Sequence, residues 1–116
     1  MFKPFTIAEF AAFMGISKRM AAGLVATEAV RSVHIGRLVR IPAEAVAELL
    51  GVEYVNKEDA RPLHTVDEVN RLAGWTSPTT YKYIRTGALK SVLIGGRRMI
   101  TAESLAELLT PAEVAS

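Results

Sequence analysis

The stretch Thr65–Leu109, TVDEVNRLAGWTSPTTYKYIRTGALKSVLIGGRRMITAESLAELL, decides the fold, because a displacement of 59 places lays it on Thr6–Leu50, TIAEFAAFMGISKRMAAGLVATEAVRSVHIGRLVRIPAEAVAELL. No insertion is needed, and 16 of the 45 aligned positions are identical. The identities fall on punctuation (Gly15 with Gly74, Gly36 with Gly95) as well as on apolar positions (Ile35 with Ile94, Ile41 with Ile100, Leu49-Leu50 with Leu108-Leu109). Self-similarity at a fixed period marks one supersecondary unit used more than once. The chain is therefore expected to hold two units, 1–50 and 65–116, the second with a short tail. Between them lies 51–64, whose middle, Val55-Asn56-Lys57-Glu58-Asp59-Ala60-Arg61-Pro62, is charged, closed by proline and expected to be a linker.

Each unit carries the same order of local signals. Thr6-Ile7-Ala8-Glu9 and Thr65-Val66-Asp67-Glu68 are capping boxes, a hydroxyl followed three residues later by a carboxylate. Helical spacing follows in Ile7, Phe10, Ala11 and Met14, and in Val66, Val69, Leu72 and Ala73, until Gly15 and Gly74 stop the helix. Ser17 and Thr76 restart the chain into second helices, Lys18–Ala26 and Ser77–Arg85, the latter with Pro78 in its first turn. The period then shortens: Ser32–Ile41 and Ser91–Ile100 read as two-stranded hairpins turning at Gly36-Arg37 and Gly95-Gly96. Amphipathic helices, Pro42–Leu50 and Thr101–Leu109, close the units. The expected fold is α+β and mainly helical: two tandem small winged-helix units, each a helix-turn-helix, a β-hairpin wing and a helix.

Composition narrows the chemistry. Half of the 116 residues are hydrophobic and 22% are charged, the balance of a folded chain rather than a disordered one. No apolar run is long enough for a membrane span. Met1-Phe2-Lys3-Pro4-Phe5 lacks the apolar core of a secretory leader, so a cytoplasmic location in a bacterial host, associated with the nucleoid, is expected. The absence of cysteine removes disulfides, thiolate metal sites and a cysteine nucleophile. The two histidines, His34 and His64, fall on dissimilar elements, and no serine–histidine–aspartate set or paired carboxylates stand out. Ile94-Gly95-Gly96-Arg97 is a hairpin turn and not a phosphate loop opening a helix. Neither enzymatic activity nor a cofactor, metal or small-molecule effector is expected.

The net charge of +2 hides a segregation by position. Ile16–Ile41 holds five cations (Lys18, Arg19, Arg31, Arg37, Arg40) against one acid, Glu28. Trp75–Ile100 holds five (Lys82, Arg85, Lys90, Arg97, Arg98) and no acid. Concentrating cations on the second helix and the hairpin is what phosphate neutralisation requires, so duplex DNA is the expected partner. Trp75, Phe10, Phe13, Met14 and Met20 are expected in the core.

The pattern T-x-x-E…G-x-S/T…Y…I-R-T-G-x-L…V-x-I-G-G-R-R-x-I of the second unit resembles the winged-helix module of phage excisionases and MerR-type regulators. The resemblance spans about 90 of the 116 residues and is weaker over Thr6–Leu50. It implies that the second helices enter the major groove and that the hairpins Ile35–Ile41 and Ile94–Ile100 touch the backbone or minor groove. Carried onto this chain, Lys18, Arg19, Ser77, Thr79 and Lys82 would lie at or near base edges, with the Tyr81 hydroxyl on a phosphate. Arg97 and Arg98, with Arg37 and Arg40 as counterparts, would hold the wings on phosphates or in a narrow minor groove, while Arg85 and Lys90 are either backbone contacts or solvated. It further implies an accessory factor of a phage or mobile element that directs recombination without performing it. MerR-type regulators add a dimerisation helix and an effector domain, which this pattern lacks.

The first unit departs from the pattern in three places. Ala22-Gly23 stands where the second unit has Tyr81-Lys82, Glu28 stands for Gly87 in a turn that favours positive φ, and Arg37 replaces a turn glycine. Two alternatives stay open: a transcriptional repressor with the same binding mode, and an adaptor whose first unit binds a recombinase, a polymerase subunit or its own copy.

Overall fold

In the computed structural model, which describes residues 3–110, the chain divides between Arg61 and Pro62 into two compact units. The described residues form six helices and two small antiparallel sheets. The first unit runs α1 (Ile7–Met14), α2 (Lys18–Ala26), β1 (Val33–Ile35), β2 (Leu38–Arg40) and α3 (Ala43–Leu50). The second runs β3 (Leu63–His64), α4 (Val66–Ala73), α5 (Ser77–Thr86), β4 (Ser91–Ile94), β5 (Arg97–Thr101) and α6 (Ala102–Leu109). Displaced by 59, α1 and α3 superpose on α4 and α6 with no change of boundary. The tail, 111–116, lies outside the described residues.

Local chemistry sets the helix starts. Both capping boxes close: Glu9 N–H donates to Thr6 Oγ1 at 3.0 Å and Thr6 N–H to Glu9 Oε1 at 2.9 Å, with Thr65 and Glu68 repeating the exchange. That Thr6 amide, and then Lys57, hold the Glu9 carboxyl below the usual carboxylate range. Ser17 caps α2 by accepting from the Met20 N–H at 3.0 Å. Thr76 makes no side-chain cap on α5, where Pro78 in the first turn leaves one donor fewer to satisfy.

The two hairpins differ in extent for one reason. In the second unit β3 and β4 flank β5, pairing Leu63 with Thr101, His64 with Ile100 and Ser91 with Ile100. The equivalent of the His64–Ile100 pair is the isolated bridge Phe5–Ile41, closed by reciprocal 2.8 Å bonds. On the other side of the strand, Thr101 N–H donates to the Lys90 carbonyl at 2.9 Å, and Pro42, at the aligned position, has no amide hydrogen to repeat that bond toward Arg31. Proline thus shortens the first hairpin, whose pairing starts at Val33–Arg40, where that of the second starts at Ser91–Ile100.

The stretch 51–64, expected as a linker, is ordered at both ends and in its middle. Val55 is buried, and Lys57 Nζ donates to Glu9 Oε1 at 2.9 Å and to the Pro4 carbonyl at 3.2 Å. The Arg61 guanidinium lies over Gly15, where any β-carbon would collide with it. Leu63–His64 is a strand of the second unit.

In the second unit Val69, Leu89, Ile100 and Leu105 form a buried cluster edged by Val66, Trp75, Tyr83, Ile84 and Leu108. Each fully buried aliphatic side chain contributes about 1.5–3 kcal/mol. In the first, Phe10, Phe13 and Met14 are buried as expected, with the Phe5 and Phe13 rings 5.2 Å apart, while Met20 is half-buried.

The turn after α2 needs a left-handed residue, and the two units meet the need differently. Gly87 supplies φ 85, whereas in the first unit Glu28 is held at φ 62, the one non-glycine at positive φ among the described residues. An L-residue there is disfavoured by about 1–2 kcal/mol, part of which glycine forfeits through a looser unfolded chain. Glu28→Gly is therefore expected to stabilise the first unit by about 0.5–1 kcal/mol, and Gly87→Ala to destabilise the second by about 1 kcal/mol. Denaturant unfolding of the full chain measures both, and a destabilising Glu28→Gly contradicts the strain.

Candidate nucleic-acid interface

Helical geometry sorts α5 into two faces. Thr80 is fully buried and Tyr83 and Ile84 are half-buried, while Pro78, Tyr81, Lys82 and Arg85 are exposed at the i, i+3, i+4, i+7 spacing of one stripe. Three of the expected contact residues, Tyr81, Lys82 and Arg85, thus share a solvent-facing surface. Ser77 and Thr79 are half-buried. Ser77 Oγ accepts from Asn70 Nδ2 at 2.9 Å, so it serves the α4–α5 joint as well as the surface.

That joint is held by a polar relay not anticipated from sequence. Trp75 Nε1–H donates to Thr80 Oγ1 at 2.8 Å, and the Thr80 hydroxyl donates to Asn70 Oδ1 at 2.5 Å. The Trp75 and Tyr83 rings lie 5.3 Å apart, and Lys82 Nζ sits 5.7 Å from the Tyr83 ring centre. Satisfied buried networks fix one arrangement, since every alternative orphans a polar group. The first-unit residues aligned with Asn70, Trp75 and Thr80 are Ala11, Ile16 and Ala21, an apolar joint with no such relay, while exposed Lys18 stands for Ser77. This concerted replacement was visible in the repeat comparison and is the signal that could have found it.

The hairpin of the second unit carries its arginines to the turn. Gly95 and Gly96, at φ 60 and 81, make the mirror-image turn that matches strand twist. Arg97 pairs with Ile94 to close that turn, and Arg98 Nη1 donates to Ser91 Oγ at 2.8 Å, which orients the guanidinium along the strand. Both arginines are exposed. One depression is lined by Tyr81 from α5, Arg97 and Arg98 from the hairpin, and Thr65, Val66 and Asp67 from the start of α4. Tyr81 and the hairpin arginines therefore share one depression, with Asp67 as the acid that α4 brings to it.

The first unit places its cations differently. Lys18 and Arg19 are exposed at the start of α2, but the rest of that exposed stripe is Ala22, Gly23 and Ala26. Arg37 is exposed in the hairpin turn, while Arg40 is half-buried and donates from Nη1 to the Val39 carbonyl at 2.9 Å. Arg31 is engaged by both Glu48 carboxylate oxygens at 3.0 and 3.1 Å. Among the described residues no helix is long and apolar enough to cross a membrane. The chain matches no family model, no curated protein and no solved structure.

Proposed function

We propose that the chain binds duplex DNA through two tandem winged helix-turn-helix units, with α5 as the reading helix, α2 as its counterpart against the backbone, and the hairpins as wings. The observation that carries this reading is the depression that Tyr81 shares with Arg97 and Arg98, together with the exposure of Lys82 and Arg85 on the same stripe of α5 as Tyr81. A major groove about 12 Å wide admits such a helix, and wing cations then reach the flanking phosphates. The relay through Thr80 supports this use, because a helix read against base edges must be held in one orientation. The second unit reads and the first, with Lys18, Arg19 and Arg37 around a smooth helix face, holds the backbone.

Among roles for such a protein, an excisionase-like accessory factor of a phage or mobile element agrees best with the second-unit motif. Selection of duplexes from a random pool, followed by footprinting and a bend assay, tests it. Protection over about two helical turns, half-sites roughly 34–36 Å apart, is expected if both units engage. Bending beside a recombination core supports excision control, whereas straight DNA at a promoter supports a repressor. Protection of one turn, indifferent to Lys18→Ala and Arg19→Ala, assigns the first unit to a protein partner, the use its Ala22-Gly23-Ala26 face would fit. Failure to recover any duplex overturns the proposal.

A further inference from the structure

The hairpin of the first unit presents apolar side chains where that of the second presents an arginine. Ile35 and Leu38 pair across the strands and close the Gly36-Arg37 turn, yet they are 62% and 53% exposed. Val33, on the same face by strand alternation, is 46% exposed. At the aligned positions of the second unit stand Ile94, 1% exposed, and Arg97. The first hairpin thus ends in two bare aliphatic side chains on either side of an arginine.

Size and charge decide what this tip fits. The three aliphatic side chains expose on the order of 300 Å² together, short of the roughly 800 Å² that each partner buries in a stable protein interface. The charged residues of the hairpin itself, Arg37 and Arg40, are both cationic and so complement a groove walled by phosphates. Aliphatic wedges of this size enter the minor groove between base pairs and kink the duplex, with neighbouring arginines on the groove walls. We infer that Ile35 and Leu38 form an apolar wedge that parts one base step in the minor groove, so that the first unit bends DNA while the second reads it. The inference rests on the duplex-binding reading above.

A wedge spends binding energy on unstacking, and a base step already loosened removes that expense. The probes are a fluorescent 30-bp duplex, fully paired, and the same duplex with two mismatched pairs at its centre. The full chain is expected to bind the mismatched duplex about tenfold more tightly. Ile35→Thr/Leu38→Thr keeps β-propensity at exposed positions and is expected to bind the two duplexes equally. Val33→Thr, away from the tip, is expected to keep the preference. A preference retained by the double variant, or absent from the unaltered chain, overturns the wedge alone. So does an equal loss of binding to both duplexes, which marks a backbone contact, or a dimer in sedimentation that the double variant dissociates, which marks a second copy as the occupant. Absence of binding to either duplex by the unaltered chain overturns the wedge and the duplex-binding reading together.

Discussion

Thr80→Val is expected to destabilise the second unit by about 2–4 kcal/mol, the largest effect of any single conservative change in it. Valine nearly preserves the shape, so the loss is not one of packing. It strips the hydroxyl that accepts from Trp75 Nε1 and donates to Asn70 Oδ1, and leaves two partly buried polar groups without partners. Each orphan costs about 1–3 kcal/mol. For a unit of this size each kilocalorie shifts the melting temperature by roughly 4–8 °C. Trp75 is the chain's only tryptophan, so its fluorescence reports the second unit. Importing the first unit's solution whole, Asn70→Ala with Trp75→Ile and Thr80→Ala, is expected to cost less than the three single changes added together, because it removes donors and acceptors in concert. A Thr80→Val variant within 0.5 kcal/mol of the unaltered chain would mean the relay does not hold α4 against α5.

Removing the exposed cations of α5 and the second hairpin is expected to have the largest effect on binding. The combined change Lys82→Ala, Arg97→Ala and Arg98→Ala takes away three exposed charges that lie on one helix stripe and one hairpin turn. If each neutralises a phosphate, affinity at moderate salt falls at least about a hundredfold and the slope of log K against log salt flattens by about three units. Arg31→Ala is the control for each of the three removals taken singly. It also removes a cation, but one engaged by Glu48, and is expected to change affinity less than about threefold. A loss from Arg31→Ala as large as that from Arg97→Ala alone would mean that overall charge, rather than these positions, attracts the duplex.

The features that sequence made legible are those set within a few residues. Capping boxes, glycine stops and helical periodicity are local, so α1, α3, α4 and α6 follow the repeat, and the odd Glu28 was marked by the glycine that its counterpart uses. What was missed depends on partners far along the chain. Leu63–His64 is too short to show alternation and becomes a strand only because β5, more than thirty residues on, offers it an edge. Lys57 reads as solvated linker until α1 brings Glu9 and Pro4 beside it. At the candidate site, charge segregation pointed to both hairpins and both second helices. Which side chains face outward had to come from packing: Thr79, Ser77 and Arg40 turned out half-buried, while Tyr81, Lys82, Arg85, Arg97 and Arg98 are exposed.

The salt dependence of duplex binding by the unaltered chain tests the central claim most directly. Seven expected contact cations are exposed: Lys18, Arg19 and Arg37 in the first unit, and Lys82, Arg85, Arg97 and Arg98 in the second. At about 0.9 per phosphate neutralised, engagement of the second unit alone gives a slope near −4 and of both units near −6. Anisotropy of a labelled 30-bp duplex, titrated between 50 and 200 mM salt, is expected to return a slope in that range. No binding at the lowest salt, or an affinity that salt leaves unchanged, would contradict the assignment of this surface to DNA.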